Sequence, residues 1–519
     1  MKIIAIVGGG ISGATACSTL YEALRKEDHH LTIHIYDQGR GLGGRTAHRA
    51  YSIAPNEKNE IEARSENPLR CCSSAQLRFD HGCQFFTARG EAFRRVCAYW
   101  EQRGWCSKWR PRHRVIESRG GSCNTNGSFF GLDLRTDDEK DHVYVGVDGM
   151  HSMAIRMLDA CATCSESDAN GVNVRVFRNV RVARVTRQEK KWKLVGPSGE
   201  AAAHDSSEAI ARAGVHEDLG GSGVLYDAVI VTDISCSFGG WHRASAGLQV
   251  DLEFCKDIIR VPLFTTLVAF DRHLHVDGDS IDALSFSDDD IVWFASRTSS
   301  KPHTGASSIA TEESGDEEAA SSYDCWTLVS TPRYAVNEID RVRMQDAETG
   351  AFIPQSRAYL ESDDGPAQTM LRAFRAAIQA HRDQVDCTDD GKSGSNADAP
   401  CDGDDDGFPR AIFLSAQRWG SAFPSFANRL HNSHDDALHR KRILDVVYSS
   451  MENYGVTDAL NGRDGRDFYH DDAMRLYYCG DFMVDNIKSD AGVEIGVGSA
   501  AMSAIACANY IIQNQILNK

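Results

Sequence analysis

The chain opens with residues 3–7 as an unbroken apolar run, the pattern of a strand buried on both faces of a parallel sheet. Across residues 12–26, Ala16, Leu20 and Leu24 fall on one helical face. Leu31, Ile33 and Ile35 then alternate toward Asp37, giving a second strand and so a βαβ beginning. Further along, residues 150–158 read as a helix and 172–177 and 226–231 as strands. A strand-rich middle follows at 264–270, 291–295 and 326–329, with a helix at 371–378. The close is a strand at 476–479, a loop and a long apolar helix. Elements of the first unit thus recur at the far end of the chain, as expected when one domain is inserted into another.

Between these blocks lie polar stretches without sustained periodicity, at 48–76, 118–128, 198–223, 299–323 and 383–408, read as disordered or surface insertions. The last contains Asp389, Asp390, Asp402, Asp404, Asp405 and Asp406 and buries too little apolar surface to fold alone. At 519 residues the chain has room for two domains or more. Its net charge of -18 repels phosphate backbones and anionic lipid, which argues against nucleic-acid and membrane partners. The 16 cysteines are scattered along a long chain, which fits reduced thiols and a cytoplasmic setting. Gly8, Gly9, Gly10 and Gly13 interrupt the apolar N-terminus and weaken it as a secretory leader. The apolar segment 493–512 carries Ser499, Ser503 and Asn509, which suit a buried helix better than a membrane span.

Three motifs carry the candidate chemistry. The first is Gly8-x-Gly10-x-x-Gly13, placed after a strand, opening a helix, and 24 residues before Asp37. Gly8 permits the tight turn, Gly10 lets a pyrophosphate approach, and Gly13 lets helix and strand pack closely. Ile11 and Ser12 then start a helix whose free N–H groups and positive dipole end face the phosphates. Asp37 accepts ribose hydroxyls and repels a 2′-phosphate, which disfavours NADP as the tightly held nucleotide. The second motif, Gly41-Leu42-Gly43-Gly44-Arg45, adds a glycine turn with an arginine as charge partner. The third is Gly480-Asp481 at a strand end, followed by Gly492-Val493 before the final helix. Other chemistries find no support: Cys161-x-x-Cys164 has no second pair to complete a zinc site, so no metal is expected. There is no G-x-S-x-G elbow and no Walker A loop.

In this order, the three motifs resemble those of the FAD-containing amine oxidase superfamily. Within it, Asp80-His81-Gly82-Cys83-Gln84-Phe85-Phe86-Thr87 is similar to the D-x-G-A-Q-Y-[FI]-T segment of the renalase-like branch. Val147-Asp148-Gly149-Met150 resembles its "P-x-G-[MI]" block, Arg418-Trp419 its R-W pair, and residues 291–295 its substrate-domain strand. The chain departs from the branch at Cys83, where alanine is usual, and at Val493-Glu494-Ile495-Gly496, where V-E-G-A is common in bacterial relatives.

The resemblance implies an α/β fold: a Rossmann-type FAD-binding domain, GR2-like and of the p-hydroxybenzoate hydroxylase type, interrupted by an α+β substrate domain with a mixed or antiparallel sheet. The FAD-binding domain is expected at 1–110, 143–245 and 470–519, and the substrate domain at 111–142 and 246–469. The implied activity is oxidation of a dihydronicotinamide off-isomer by hydride transfer to FAD, with molecular oxygen as acceptor giving hydrogen peroxide. Hydride transfer needs the donor carbon stacked on the ring in a dry site, with no obligatory acid or nucleophile. Phe85, Phe86 and Trp419 are candidate stacking faces, and His81, Gln84 and Arg418 candidates for orienting a carboxamide or phosphate. The alternatives are an amine oxidase of the same superfamily and a non-catalytic binding protein like the GDP-dissociation inhibitors.

Overall fold

The computed structural model describes residues 2–25, 30–55, 61–65, 77–117, 142–165, 171–182, 184–196, 224–232, 259–303, 323–344, 353–389, 408–425, 468–481 and 496–514. The chain starts with β1 (Lys2–Val7), α1 (Ile11–Leu24), β2 (Leu31–Tyr36), β3 (His48–Pro55), β4 (Ile61–Ser65), β5 (Leu77–Asp80) and β6 (Phe86–Thr87). It continues with α2 (Glu91–Gln102), β7 (Cys106–Trp109), β8 (His113–Ile116), β9 (Val143–Gly146), α3 (Ser152–Ser165) and β10 (Val172–Phe177). Next come β11 (Arg184–Gln188), β12 (Lys191–Val195), β13 (Ala228–Val231), β14 (Ile259–Phe270), β15 (His275–Val276) and β16 (Asp279–Ser280). Then follow β17 (Ala283–Phe286), β18 (Val292–Arg297), β19 (Asp324–Ser330), α4 (Pro332–Arg341), α5 (Arg357–Leu360) and α6 (Pro366–Asp389). The last elements are β20 (Ala411–Ser425), β21 (Tyr469–Asp471), β22 (Leu476–Tyr478) and α7 (Val497–Gln513).

The first sheet has the order β10-β2-β1-β13-β22-β21, parallel except for the edge strand β21. Strands buried on both faces need helices or hairpins on each side. Here α1 packs against α3 and α7 on one face, and small residues such as Ala14, Ala16, Ala504 and Ala508, all fully buried, permit the close approach. The other face carries Val7, Tyr36, Val229 and Tyr478 under Trp192 and Leu194 of the β11–β12 hairpin. The second sheet runs β20-β14-β19-β18-β17-β8 and is mixed, since only β17 and β8 pair in parallel. Its face buries Phe264, Val268, Phe270, Trp326 and Leu328 against Met370, Phe374 and Ile378 of α6. The architecture is therefore α/β with a Rossmann-like sheet and a second mixed sheet, as the sequence predicts.

Three expected insertions hold ordered structure. Strands β3 and β4 lie inside 48–76, and β3 pairs with β5 with His48 opposite Asp80. The physical reason is that Tyr51 and Ile53 turn to the cluster of Phe79 and Phe413 among polar His48, Arg49 and Ser52, too short an alternation to mark a strand from sequence. Helix α6 reaches Asp389, into 383–408, and a short 3-10 turn at Thr298–Ser300 leads to a buried Lys301, inside 299–323. The stretches 118–128 and 198–223 lie outside the described residues. Among the described residues, no helix is long and apolar enough to cross a membrane.

Candidate functional site

The parallel pairing of β1 with β2 and β13 brings the three glycine motifs to one end of the first sheet. Gly8 has φ +112°, and a methyl group there would lie 2.2 Å from Thr232 Oγ1. A methyl on Gly13 would lie 1.9 Å from the Gly8 carbonyl oxygen, so this glycine is required for helix α1 to sit on the turn. Gly10 differs. Its φ of -80° suits any residue, and nothing comes nearer than 3.5 Å to an added methyl. No side chain caps α1 and no acidic residue occupies its first turn, so the N–H groups of Ile11, Ser12 and Gly13 lack helical acceptors. Gly10 thus marks a cradle that a side chain would fill, in front of a positive helix end.

The second turn locks against the first. Gly43 forms a bridge with Gly10, and its N–H donates to the Gly9 carbonyl at 3.1 Å. Gly43 and Gly44 have φ of +110° and +56°, left-handed conformations that favour glycine. Asp37 braces both turns: its Oδ2 accepts from Gly9 N at 2.7 Å and its Oδ1 from Gly39 N at 2.6 Å. A carboxylate has about four lone-pair sites, so bracing and accepting sugar hydroxyls are compatible. The third motif arrives from 436 residues away. Arg45 donates from both terminal nitrogens to the two oxygens of Asp481, each at 2.6 Å. Asp481 is buried while Arg45 is partly exposed, and Gly480, at φ +155°, donates its N–H to Ser503 Oγ of α7 at 3.0 Å. The pair joins two groups that the sequence assigns separately to a cofactor. Gly492 and Val493 lie outside the described residues.

Beside the Gly43 turn runs a buried ionic chain that sequence reasoning missed. The ring of His151 stacks on that of His48 at 4.8 Å and 5°. Gly149, at φ +103°, gives His48 room, since a methyl there would lie 2.5 Å from His48 Nδ1. His48 Nδ1 meets Asp80 Oδ1 at 2.9 Å, and Met150 N donates to the same oxygen at 2.8 Å. Lys301 Nζ donates to Asp80 Oδ2 at 2.9 Å and to the Gln84 carbonyl at 2.7 Å. Asp80 is fully buried. Burial alone would raise its pKa, but Lys301 and His48 together hold the carboxyl well below the usual range. The chain links the cofactor-side turn to a lysine from the second sheet's side. The sequence signal was Asp80 as the first residue of its D-x-G segment; its partner Lys301 was hidden in a polar stretch.

The residues expected to handle substrate divide into two groups. His81 and Trp419 come together: the rings stack at 5.4 Å and 28°, and Trp419 Nε1 donates to the His81 carbonyl at 2.7 Å. Phe85 is half-buried and meets Phe294 edge-on at 5.7 Å. Gln84 is spent on the fold instead. Its Nε2 donates to the carbonyls of Asp80 and Gly82, and its Oε1 accepts from Ser296 Oγ at 2.7 Å. Arg418 is buried, with its guanidinium donating to the Ile353 carbonyl at 2.8 Å. Phe86 is core, stacked on Tyr144 at 5.6 Å and packed with Phe93 and Trp100. Cys83 Sγ donates to the Phe85 carbonyl at 2.9 Å, and burial pushes its thiol up to about 11. Such a thiol is a poor nucleophile.

Several buried imidazoles are held neutral. Burial pushes His151 down to about 3 and His34 and His113 to about 4. His81 is also well below the ordinary value, through burial and then the charge of Arg49. An unfolded histidine titrates near 6.5. Between that value and the depressed one, the unfolded chain binds more protons than the folded chain. Stability is therefore full above about pH 6.5 and falls below it, by up to ~1.4 kcal/mol per pH unit per group. Urea midpoints should drop clearly from pH 7.5 to pH 5; equal midpoints would refute neutral burial of these rings.

A family model described as a NAD(P)-binding Rossmann-like domain matches residues 6–100. Among solved structures, the chain is similar to cyclohexylamine oxidase from Brevibacterium oxydans IH-35A, at 10% identity, 99% coverage of both chains and a TM-score of 0.49. It is also similar to wild-type putrescine oxidase bound to putrescine, at 10% identity, 99% of both chains and a TM-score of 0.47. Reduced UDP-galactopyranose mutase aligns at 9% identity, over 100% of this chain and 96% of that one, with a TM-score of 0.47.

Proposed function

We propose that the chain is an FAD-dependent oxidoreductase that takes a hydride from a dihydronicotinamide. The observation that supports FAD binding is Gly10: two interlocked glycine turns and an uncapped helix end surround a position where only a missing side chain leaves room. In this reading Asp37, which braces the first turn, would accept the ribose hydroxyls, and the bonded Arg45–Asp481 pair would meet the rest of the dinucleotide. Bound FAD would supply the two-electron acceptor and deliver its electrons to oxygen. The first sheet with its helices serves as the FAD domain and the second sheet as the substrate domain.

The protein's own residues act by position and charge. His81 and Trp419 offer a stacked aromatic wall, and Phe85 a further face. Asp80 is consumed by Lys301 and His48, so it offers no base. Arg49, whose guanidinium is bonded to a neutral amide rather than an acid, disfavours an ammonium substrate and suits a neutral ring bearing anionic groups. A dihydronicotinamide loses hydride without first losing a proton, which matches a site of positioned groups with neutral imidazoles.

The test is a visible spectrum of the purified protein, followed by anaerobic mixing with 6-dihydro-NAD, β-NADH and a monoamine panel. Rapid bleaching by the dihydronicotinamide isomer alone is expected. Bleaching by an amine would move the protein to amine oxidation, and a colourless protein unable to take up FAD would make it a binding module.

A further inference from the structure

Several interior and half-buried cations among the described residues are answered by an acid. Lys301 meets Asp80, Arg297 meets Asp324 at 2.6 Å, and Arg45 meets Asp481. Arg49 on β3 is held differently. It is half-buried, and its guanidinium donates from Nη2 to the side-chain oxygen of Gln417 at 2.6 Å. No acid pairs with it among the described residues. A neutral amide orients a guanidinium without cancelling its charge.

The surroundings give that charge a direction. Gln417 directly precedes Arg418 and Trp419 on β20, and β20 pairs with β14, placing Gln417 opposite Thr265. Thr265 Oγ1 and Trp419 Nε1 both donate to the His81 carbonyl, at 3.0 and 2.7 Å. Arg49, Gln417, Trp419 and His81 therefore form one contiguous group at the stacked rings. The carboxylate of Asp80, next to His81 in sequence, is turned to Lys301 and His48. The group carries one positive charge that no neighbouring acid among the described residues takes up.

We propose that Arg49 anchors a phosphate of the substrate while the His81–Trp419 wall holds its ring, so that the site selects a phosphorylated dihydronicotinamide over its nucleoside. The proposal rests on the dihydronicotinamide reading above. It moves the anion-holding role from Arg418, which is buried and bonded to the Ile353 carbonyl, to an arginine whose charge is available. A charge-assisted pair of this kind changes affinity about 10-fold to 100-fold.

The experiment uses the full chain with its bound FAD, comparing wild type, Arg49→Met and Arg49→Lys. Anaerobic reduction is followed with 6-dihydro-NAD and with the 6-dihydronicotinamide riboside, which has no phosphate. Calorimetric titration with inorganic pyrophosphate provides a readout independent of turnover. Wild type should favour the dinucleotide about tenfold or more in apparent Kd; Arg49→Met should collapse that ratio and weaken pyrophosphate binding to match, and Arg49→Lys should restore part of both. An undiminished ratio in Arg49→Met overturns the proposal even if dihydronicotinamides are oxidised. If neither donor reduces the protein, the substrate reading falls, and the titration decides Arg49 by itself. Equal curves for wild type and Arg49→Met, or no pyrophosphate binding to wild type, then count against the anion site.

Discussion

Gly10→Val should purify as a folded protein without flavin colour. The backbone at Gly10 is extended, with φ -80° and ψ -168°, so a β-branched residue meets no conformational penalty there. The nearest protein atom to an added methyl, the Gly43 carbonyl oxygen, is at 3.5 Å, an ordinary contact. What valine fills is the space in front of the helix end where a pyrophosphate would lie. Loss of that approach should weaken FAD by about two orders of magnitude, ~3 kcal/mol. The unloaded protein's melting temperature should stay within about 5 °C of unloaded wild type. Gly13→Ala is the contrasting control, because its methyl would lie 1.9 Å from the Gly8 carbonyl and must disturb the turn itself. The two measurements are flavin absorbance per chain and thermal unfolding. A Gly10→Val protein that carries a full complement of FAD would refute the placement of the cofactor.

Asp80→Asn should be among the most destabilising single substitutions in the described chain. It leaves Lys301, 4% exposed, with its ammonium facing only neutral acceptors, and turns one of the two oxygens shared by Lys301, His48 and Met150 N into an NH2 donor. Breaking one partner of a buried pair costs about 3–5 kcal/mol. Adding Lys301→Met should recover a substantial part, since the double variant buries no uncompensated charge. Urea unfolding of the two single variants and the double variant forms the cycle; equal losses in Asp80→Asn and the double variant would remove Lys301 from the explanation. The pH dependence has a definite sign. The Asp80 carboxyl is depressed in the folded state, so its contribution is complete above the ordinary carboxylate value near 4 and is lost only as pH falls below it. The difference between wild type and Asp80→Asn should therefore be flat from pH 5 to pH 8 and shrink in stronger acid.

The first βαβ unit was legible because its signals are local. An apolar run, spaced glycines and an acid at the next strand end all fall within the first 37 residues. Three strands of the second sheet were legible, at 264–270, 291–295 and 326–329, but β8, β17 and β20 were not read as strands, and β14 begins before its apolar centre, at Ile259. Strand β3 was invisible for a related reason: it is fixed by pairing with β4 and β5, and its inward pair Tyr51 and Ile53 is too short an alternation to mark it. In the site, the glycine turns and the Arg45–Asp481 pair could be named in advance, although their mutual bond could not. Lys301, His48, His151 and Arg49 were missed because each acquires its meaning from a partner far away in sequence, and a lone basic residue in a polar stretch carries no periodic mark. Gln84 and Arg418 show the converse, residues in recognisable segments whose side chains hold the backbone together.

The strand order of the first sheet also sets a timetable. β1 sits between β2 and β13, and the next position outward is filled by β22, near residue 476, while α1 is covered by α7 from Val497 onward. At roughly 5–20 residues per second, the first strand leaves the ribosome about 25–95 s before the strand and helix that complete its layer. Throughout that interval the glycine turns lack Asp481 and α1 lacks its cover. The nascent chain thus passes through a long stage with an apolar helix face unpacked, which closes only once the helix from Val497 onward has been made.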